Sequence, residues 1–169
     1  MPAIETCSLP ADAFLQRYLR EGHYADCYIT AITGDAGLAQ YVEAFYTTAL
    51  FKAERVVLAM IGRSSTDHQA RQLGAGARDR FAAWAVEQRD DRQILLRDFS
   101  GHTCSWLMAA PIPGGGTQLY FGSAVVASAD PRTGRSSIGT RWQVLLGLHK
   151  LYSRMLLRAA SRRLMAGDR

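Results

Sequence analysis

Two segments, residues 103–110 and 118–127, have the composition of β-strands but are apolar on both of their faces. In the second segment, Tyr120 and Phe121 occupy opposite faces, and each has further apolar residues two positions away. A sheet with one face in water alternates apolar and polar residues. The pattern therefore predicts strands that are covered on both sides, and it requires other elements to pack on each face.

Three more segments, residues 24–32, 81–88 and 93–98, are rich in strand-forming residues and also predict strands. The connection between the last two is short, as is the one that joins the two doubly apolar strands across residues 111–116. A parallel crossover needs a dozen or more residues, so these neighbours are predicted to pair as antiparallel hairpins.

Apolar residues recur at three- and four-residue steps over residues 38–61, which predicts either one helix or two helices at an angle. Residues 141–165 predict one long C-terminal helix with a broad apolar side. A short helix is expected over residues 9–20, with Pro10 in its first turn. The polar segment 63–78 contains glycines and is predicted to be a loop.

Four basic residues of the last helix, Lys150, Arg154, Arg158 and Arg162, recur every four positions and form one ridge. Residues 141–169 contain seven basic and one acidic side chain, a net charge of +6, within a chain whose net charge is +5. Such a ridge is either a solvated face or a surface for nucleic acid or an anionic membrane. No aromatic residue interleaves it, so we do not expect nucleic acid or anionic membrane as a partner.

The length of 169 residues suits a single α+β domain over residues 1–169, and 48% hydrophobic residues exclude general disorder. The three cysteines show no paired spacing, so reduced thiols are expected, with a Cys27–Cys104 disulfide as the alternative. Residues 1–10 lack the apolar run of a secretory signal, and no segment is apolar enough to span a bilayer. We expect a cytoplasmic protein.

The strand set includes Trp84-Ala85-Val86-Glu87, Gln93-Ile94-Leu95-Leu96, Ser105-Trp106-Leu107 and Gln118-Leu119-Tyr120-Phe121-Gly122-Ser123. Together with the helical hairpin before it and the long helix after it, this order resembles the helix-grip fold of the START or SRPBCC superfamily over residues 24–165. That superfamily includes birch-allergen-like and polyketide cyclase-like proteins. The resemblance implies a curved antiparallel sheet packed on a long C-terminal helix, with an apolar cavity between them. The four strands predicted after the helices are fewer than the six usual in the family.

If such a cavity exists, its predicted ligand-binding residues are the large side chains of the doubly apolar strands and the facing helix. They are Trp84, Trp106, Met108, Tyr120, Phe121, His149 and Tyr152. His149 is either a satisfied core histidine or the polar group that orients a ligand. Trp106 and Tyr120 are expected to pack loosely, because a residue that lines an open pocket lacks neighbours on one side.

No residue set amounts to a catalytic signature. Asp67-His68 with nearby serines is expected to be a solvated loop, and His102 and Cys104 lack the partners that zinc requires. Gly114-Gly115-Gly116 precedes a strand and is expected to be a hairpin turn. No metal and no cofactor are therefore expected.

The function predicted first is the binding of a small apolar molecule in an internal cavity. Two alternatives remain. One is a cyclase- or hydrolase-like enzyme of the same fold. The other is a structural or interaction protein that forms a homodimer through its doubly apolar sheet.

Overall fold

The computed structural model describes residues 3–126 and 140–167, and the side chains of the last helix from residue 147 onward. Its elements, in chain order, are β1 (Glu5–Thr6), α1 (Gln16–Arg20), β2 (Tyr24–Ile32), α2 (Leu38–Tyr46), α3 (Ala49–Met60), α4 (Asp67–Gly74), β3 (Arg80–Phe81), β4 (Trp84–Arg89), β5 (Gln93–Asp98), β6 (Thr103–Pro111), β7 (Thr117–Val125) and α5 (Thr140–Gly167). The strands form one sheet in the order β1-β2-β7-β6-β5-β4-β3, in which every neighbouring pair is antiparallel.

The mixed α+β architecture is confirmed. A curved antiparallel sheet of seven strands packs against the long C-terminal helix α5, as in a helix-grip-like architecture. The predicted hairpins are both present, and the second turns through Gly114, Gly115 and Gly116, each of which has a positive φ. Residue 127, predicted as the end of the last strand, lies outside the described residues.

The two faces of the sheet bury separate clusters. One face contains Leu107, Leu119 and Phe121, and it packs against α2 and the second half of α5. The other face contains Trp106 and Met108, and it packs against α1 and the segment that precedes α1. The prediction that both faces of β6 and β7 are covered is therefore confirmed.

Two helix predictions need correction, and for residues 38–61 the alternative of two helices is confirmed. The helix expected over residues 9–20 is only Gln16–Arg20. The helical region 38–61 is two helices, because the buried Thr47 and Thr48 interrupt it and the Thr48 hydroxyl accepts the Phe51 N–H that starts α3. The predicted loop 63–78 contains α4, whose first turn is held by reciprocal hydrogen bonds between Thr66 and Gln69.

Candidate functional site

A cavity of about 210 Å³ lies between α5 and the face of the sheet that α5 covers. The sheet contributes Thr103, Ser105 and Phe121 to its lining, and α5 contributes His149, Tyr152, Ser153 and Leu156. The strand residues share one face because side chains alternate along a strand, and the helix residues share one side because they are three or four positions apart. The cavity is thus a gap between two regular elements.

Aromatic side chains form most of its remaining wall. Phe45 and Tyr46 of α2, Phe51 of α3 and Trp84 of β4 all line it. The ring centroids of Phe45 and Phe121 are 4.8 Å apart, and so are those of Tyr46 and Phe51. Aromatic rings at this distance are in contact with one another, so the aromatic wall is preformed and does not depend on a ligand.

Two polar atoms of the lining are buried and have no hydrogen-bond partner among the residues that the structure describes. They are Nε1 of Trp84 and Oγ of Ser153, and Ser153 is only 1% exposed. The only other such side-chain atom in the described residues, Oγ of Ser65, lies away from the cavity. A buried polar group without a partner costs about 1–3 kcal/mol. A ligand that supplied partners for Trp84 and Ser153 would recover part of that cost.

Glu54 and Tyr152 form a second polar feature of the wall. The Tyr152 hydroxyl donates a hydrogen bond to the Glu54 carboxylate. Burial raises the pKa of Glu54, and the Tyr152 hydrogen bond offsets part of that rise. Burial also raises the pKa of Tyr152. Tyr152 therefore stays protonated and remains a hydrogen-bond donor at neutral pH.

A chain of hydrogen bonds runs from the sheet to His149. The Ser123 hydroxyl lies 2.6 Å from Oδ1 of Asp26 and 2.7 Å from Nε2 of His149. The hydroxyls of Tyr24 and Tyr28 also donate to the Asp26 carboxylate, at 3.3 and 3.4 Å. Asp26 and Ser123 are direct cross-strand partners in β2 and β7, so the sheet register itself aligns the chain.

The structure brings together four of the seven residues predicted from the sequence. Trp84, Phe121, His149 and Tyr152 line the cavity. The other three, Trp106, Met108 and Tyr120, lie on the opposite face of the sheet, where Trp106 and Met108 are buried and Tyr120 is partly buried. The seven residues therefore do not line one space, because the predicted set mixed both faces of β6 and β7.

Trp106 is packed tightly, contrary to the expectation of a loose fit. It is completely buried, and its Nε1 donates a 2.8 Å hydrogen bond to Oε1 of Gln93. A Cβ atom at Gly122, its cross-strand partner, would lie 3.0 Å from the Trp106 ring and 2.9 Å from Leu15. Only glycine fits there, because the indole ring occupies the space that a side chain would need.

Several lining residues were not predicted from the sequence. Ser105, Ser153 and Glu54 belong to the cavity, and Ser123 supports it from behind His149. The sequence feature that could have indicated the serines is their occurrence at apolar positions. Ser105 and Ser123 lie in doubly apolar strands, and Ser153 lies one helical turn after His149. A buried serine needs a partner, which marks it as either structural or ligand-facing.

Two other pockets occur at the edges of the described structure. One, of about 480 Å³, lies beside β2 and includes Cys7, Cys27 and Lys150. The other, of about 230 Å³, lies near the end of α5 and includes Arg163. Neither is lined by a buried side-chain polar atom that lacks a partner within the described residues. The cavity under α5 is the smallest of the three, but it alone combines an aromatic wall with such atoms.

The other residues considered from the sequence do not assemble a site. Asp67 begins α4 and pairs with Lys52 and Arg55, so its segment is a helix start and not the predicted loop. His102 contacts Ser100, whereas Cys104 is buried in the cluster of the opposite face. Within residues 3–126 and 140–167, no three His, Cys, Asp or Glu side chains converge as metal ligands.

All three cysteines are free thiols. The sulfur nearest to Cys27 that the structure records is that of Cys7, 3.1 Å away, and not that of Cys104. Burial raises the pKa of each of the three thiols, which keeps them protonated and weakly nucleophilic. None of them is a candidate nucleophile.

In the part of the chain that the structure describes, no helix is both long and apolar enough to cross a membrane. No protein-family model, no curated protein and no solved structure matches the chain. The assignment of a function therefore depends on the geometry of the cavity.

Proposed function

We propose that the protein binds a small, largely apolar molecule in the cavity under α5, and that it is a divergent relative of the START or SRPBCC helix-grip proteins. The observation that carries the proposal is an aromatic-walled cavity with two buried polar atoms, Trp84 Nε1 and Ser153 Oγ, that the protein leaves unpartnered. Binding pockets typically combine an apolar lining with a few polar groups that fix the orientation of the ligand.

The volume limits the size of the ligand. An engineered cavity of about 150 Å³ holds a benzene molecule. The space of about 210 Å³ observed here accordingly suits one aromatic ring with small substituents. A sterol or a long acyl chain would require the walls to move.

Binding in a cavity is favoured over a homodimer formed through the sheet. Strand residues on both faces, such as Trp106 and Phe121, are buried by elements of the same chain. Within the described residues, both apolar faces of these strands are thus covered inside one chain, which supports binding in a cavity over a homodimer formed through the sheet.

The second candidate is a cyclase- or hydrolase-like enzyme that uses the same cavity. It is favoured by the presence of two titratable side chains, His149 and Glu54, in the lining. Acid–base catalysis needs such groups within hydrogen-bond reach of the reacting atoms. Mass spectrometry of a bound compound recovered after incubation separates the two functions, since only an enzyme changes the mass of that compound.

The proposal is tested by calorimetric titration of the full chain with toluene, after native mass spectrometry has established whether a small molecule co-purifies. Saturable binding of one toluene per monomer is expected. At a concentration of toluene 100 times its Kd, the free energy of unfolding should rise by about 2.7 kcal/mol.

Two substitutions at one position provide a matched control. Ser153→Ala preserves the space, so it should retain toluene binding. Ser153→Leu fills the space, so it should weaken binding by about tenfold or more, a change of about 1.4 kcal/mol. Equal binding by both variants would place the toluene elsewhere and contradict the proposed site.

A further inference from the structure

The hydrogen bonds behind His149 fix which of its ring nitrogens carries a proton. A carboxylate only accepts hydrogen bonds, so at 2.6 Å the Ser123 hydroxyl must donate its single proton to Asp26. The Ser123 oxygen is then left as an acceptor toward Nε2 of His149, 2.7 Å away. A neutral His149 therefore carries its proton on Nε2, and its Nδ1 presents a lone pair.

Further hydrogen bonds to Asp26 support this direction of donation from Ser123 to Asp26. The backbone N–H of Ser123 also donates to Oδ1 of Asp26, at 3.1 Å, and two tyrosine hydroxyls donate to Oδ2. Four donors thus converge on Asp26, which is the arrangement that an ionised carboxylate requires. Ser123 is 3% exposed, so bulk water does not compete with these bonds.

His149 lines the cavity, and Nδ1 makes no hydrogen bond within the described residues. The free ring nitrogen is therefore an acceptor that a ligand can use. Trp84 Nε1 has the opposite character, because an indole N–H is only a donor. A ligand that satisfied both groups would therefore need one hydrogen-bond donor, for His149 Nδ1, and one acceptor, for Trp84 Nε1. The Ser153 hydroxyl can either donate or accept.

The charge of the lining excludes an anionic ligand. No lysine or arginine lines the cavity in the described residues, whereas Glu54 does, and Asp26 lies behind Ser123, which contacts His149. A carboxylate or phosphate on the ligand would be placed near acidic groups with no lysine or arginine to pair with it. The donor on the ligand must therefore belong to a neutral group.

On the basis of the proposed function, we infer that the ligand is a neutral hydroxylated aromatic molecule, a phenol of one ring with small substituents. Its hydroxyl donates a hydrogen bond to Nδ1 of His149, and an oxygen of the same molecule accepts from Trp84 Nε1. Asp26 and Ser123 act as positioning residues, because they set the tautomer of His149 without touching the ligand.

The inference is tested with four ring compounds of similar size, titrated calorimetrically near neutral pH. They are p-cresol, which has a hydroxyl donor; 4-methylanisole, which only accepts; toluene, which does neither; and p-toluate, which is an anion. The expected order of affinity is p-cresol first, by about tenfold over toluene, with 4-methylanisole between the two and p-toluate weakest. The compounds without a donor are penalised because they displace water from Nδ1 of His149 and offer it no hydrogen bond in return.

Three variants locate the source of this preference. In His149→Phe, the preference for p-cresol over toluene should fall to about threefold or less, because the variant removes the acceptor of the phenol hydroxyl. Ser123→Ala should also reduce the preference, because His149 is then no longer held in one tautomer. Trp84→Phe should weaken the binding of p-cresol and 4-methylanisole more than that of toluene, because only the first two accept a hydrogen bond from the indole N–H.

The possible outcomes distinguish the inference about the ligand's chemistry from the proposed binding function. If toluene binds as tightly as p-cresol, the inference about the ligand is overturned while the proposed binding function stands. A tenfold preference for p-cresol that survives unchanged in His149→Phe would likewise overturn the inference. If neither toluene nor p-cresol binds the original protein, the proposed function itself is contradicted.

Discussion

The two faces of the sheet bury similar kinds of residue but differ in how completely they are packed. On the face covered by α1, Trp106 is fully buried and its Nε1 bonds to Gln93. On the face covered by α5, Trp84 is half-buried and its Nε1 has no partner. One tryptophan is part of a closed core, whereas the other is part of the wall of a cavity.

The difference follows from what covers each face. The segment before α1 approaches closely enough for Phe14 N–H to bond to Oε1 of Gln93, and the Gln93 amide donates to the carbonyl of Asp12. On the other face, a curved sheet meets the long, regular helix α5. A straight helix cannot stay in contact with a curved sheet along its whole length, so a gap remains between the two. The comparison shows that a cavity results from a mismatch of shape and not from a shortage of apolar residues.

The largest expected effect concerns the two tryptophans. Trp106→Ala should lower the free energy of unfolding by about 3–5 kcal/mol, because it empties a close-packed site and removes one of the two hydrogen bonds to Oε1 of Gln93. Trp84→Ala should cost roughly half as much, since a wall residue already lacks neighbours on one side. Denaturant unfolding of both variants measures the difference. Equal losses would show that the two faces are equally packed.

The smallest expected effect concerns the basic ridge of α5. Arg154 and Arg158 are exposed, and the one hydrogen bond recorded for the Arg154 side chain is a 3.2 Å contact with the carbonyl of Ile4. Replacing both with glutamine should change the free energy of unfolding by about 0.5 kcal/mol or less. The same unfolding experiment measures it. A loss of several kcal/mol would mean that the ridge is buried and that α5 faces the sheet with a different side.

The sequence was sufficient to predict the main elements of the fold. The two doubly apolar strands were identified because no solvent-exposed sheet has that pattern, and α5 was identified from its broad apolar side. The polar segment that became α4 was missed because its composition is typical of a loop, although Thr66 and Gln69 have the spacing of a capping box. For this segment, the capping-box spacing indicated the start of a helix more reliably than the average polarity of its residues did.

The site was only partly predictable, because which face of a doubly apolar strand lines the cavity depends on contacts made by distant residues. Trp106 and Phe121 are equally apolar in the sequence. Trp106 packs in the cluster that contains Leu15, just before α1, whereas the Phe121 ring contacts Phe45 of α2. The helical spacing of His149 and Tyr152 predicted that both lie on the apolar side of the last helix, and both line the cavity. Its partner Ser123 could not be foreseen, since their contact spans 26 positions.

The central claim is that the ligand-binding cavity lies on the Trp84 face of the sheet and that Trp106, on the opposite face, is closely packed and lines no cavity for the ligand. The most direct measurement is an NMR titration of the ¹⁵N-labelled protein with toluene, in which the indole N–H signals are assigned from the Trp84→Phe and Trp106→Phe variants. A ring that enters the cavity changes the magnetic environment of its wall, so the Trp84 signal should shift saturably while the Trp106 signal stays in place. A saturable shift of the Trp106 signal with no change at Trp84 would contradict the account.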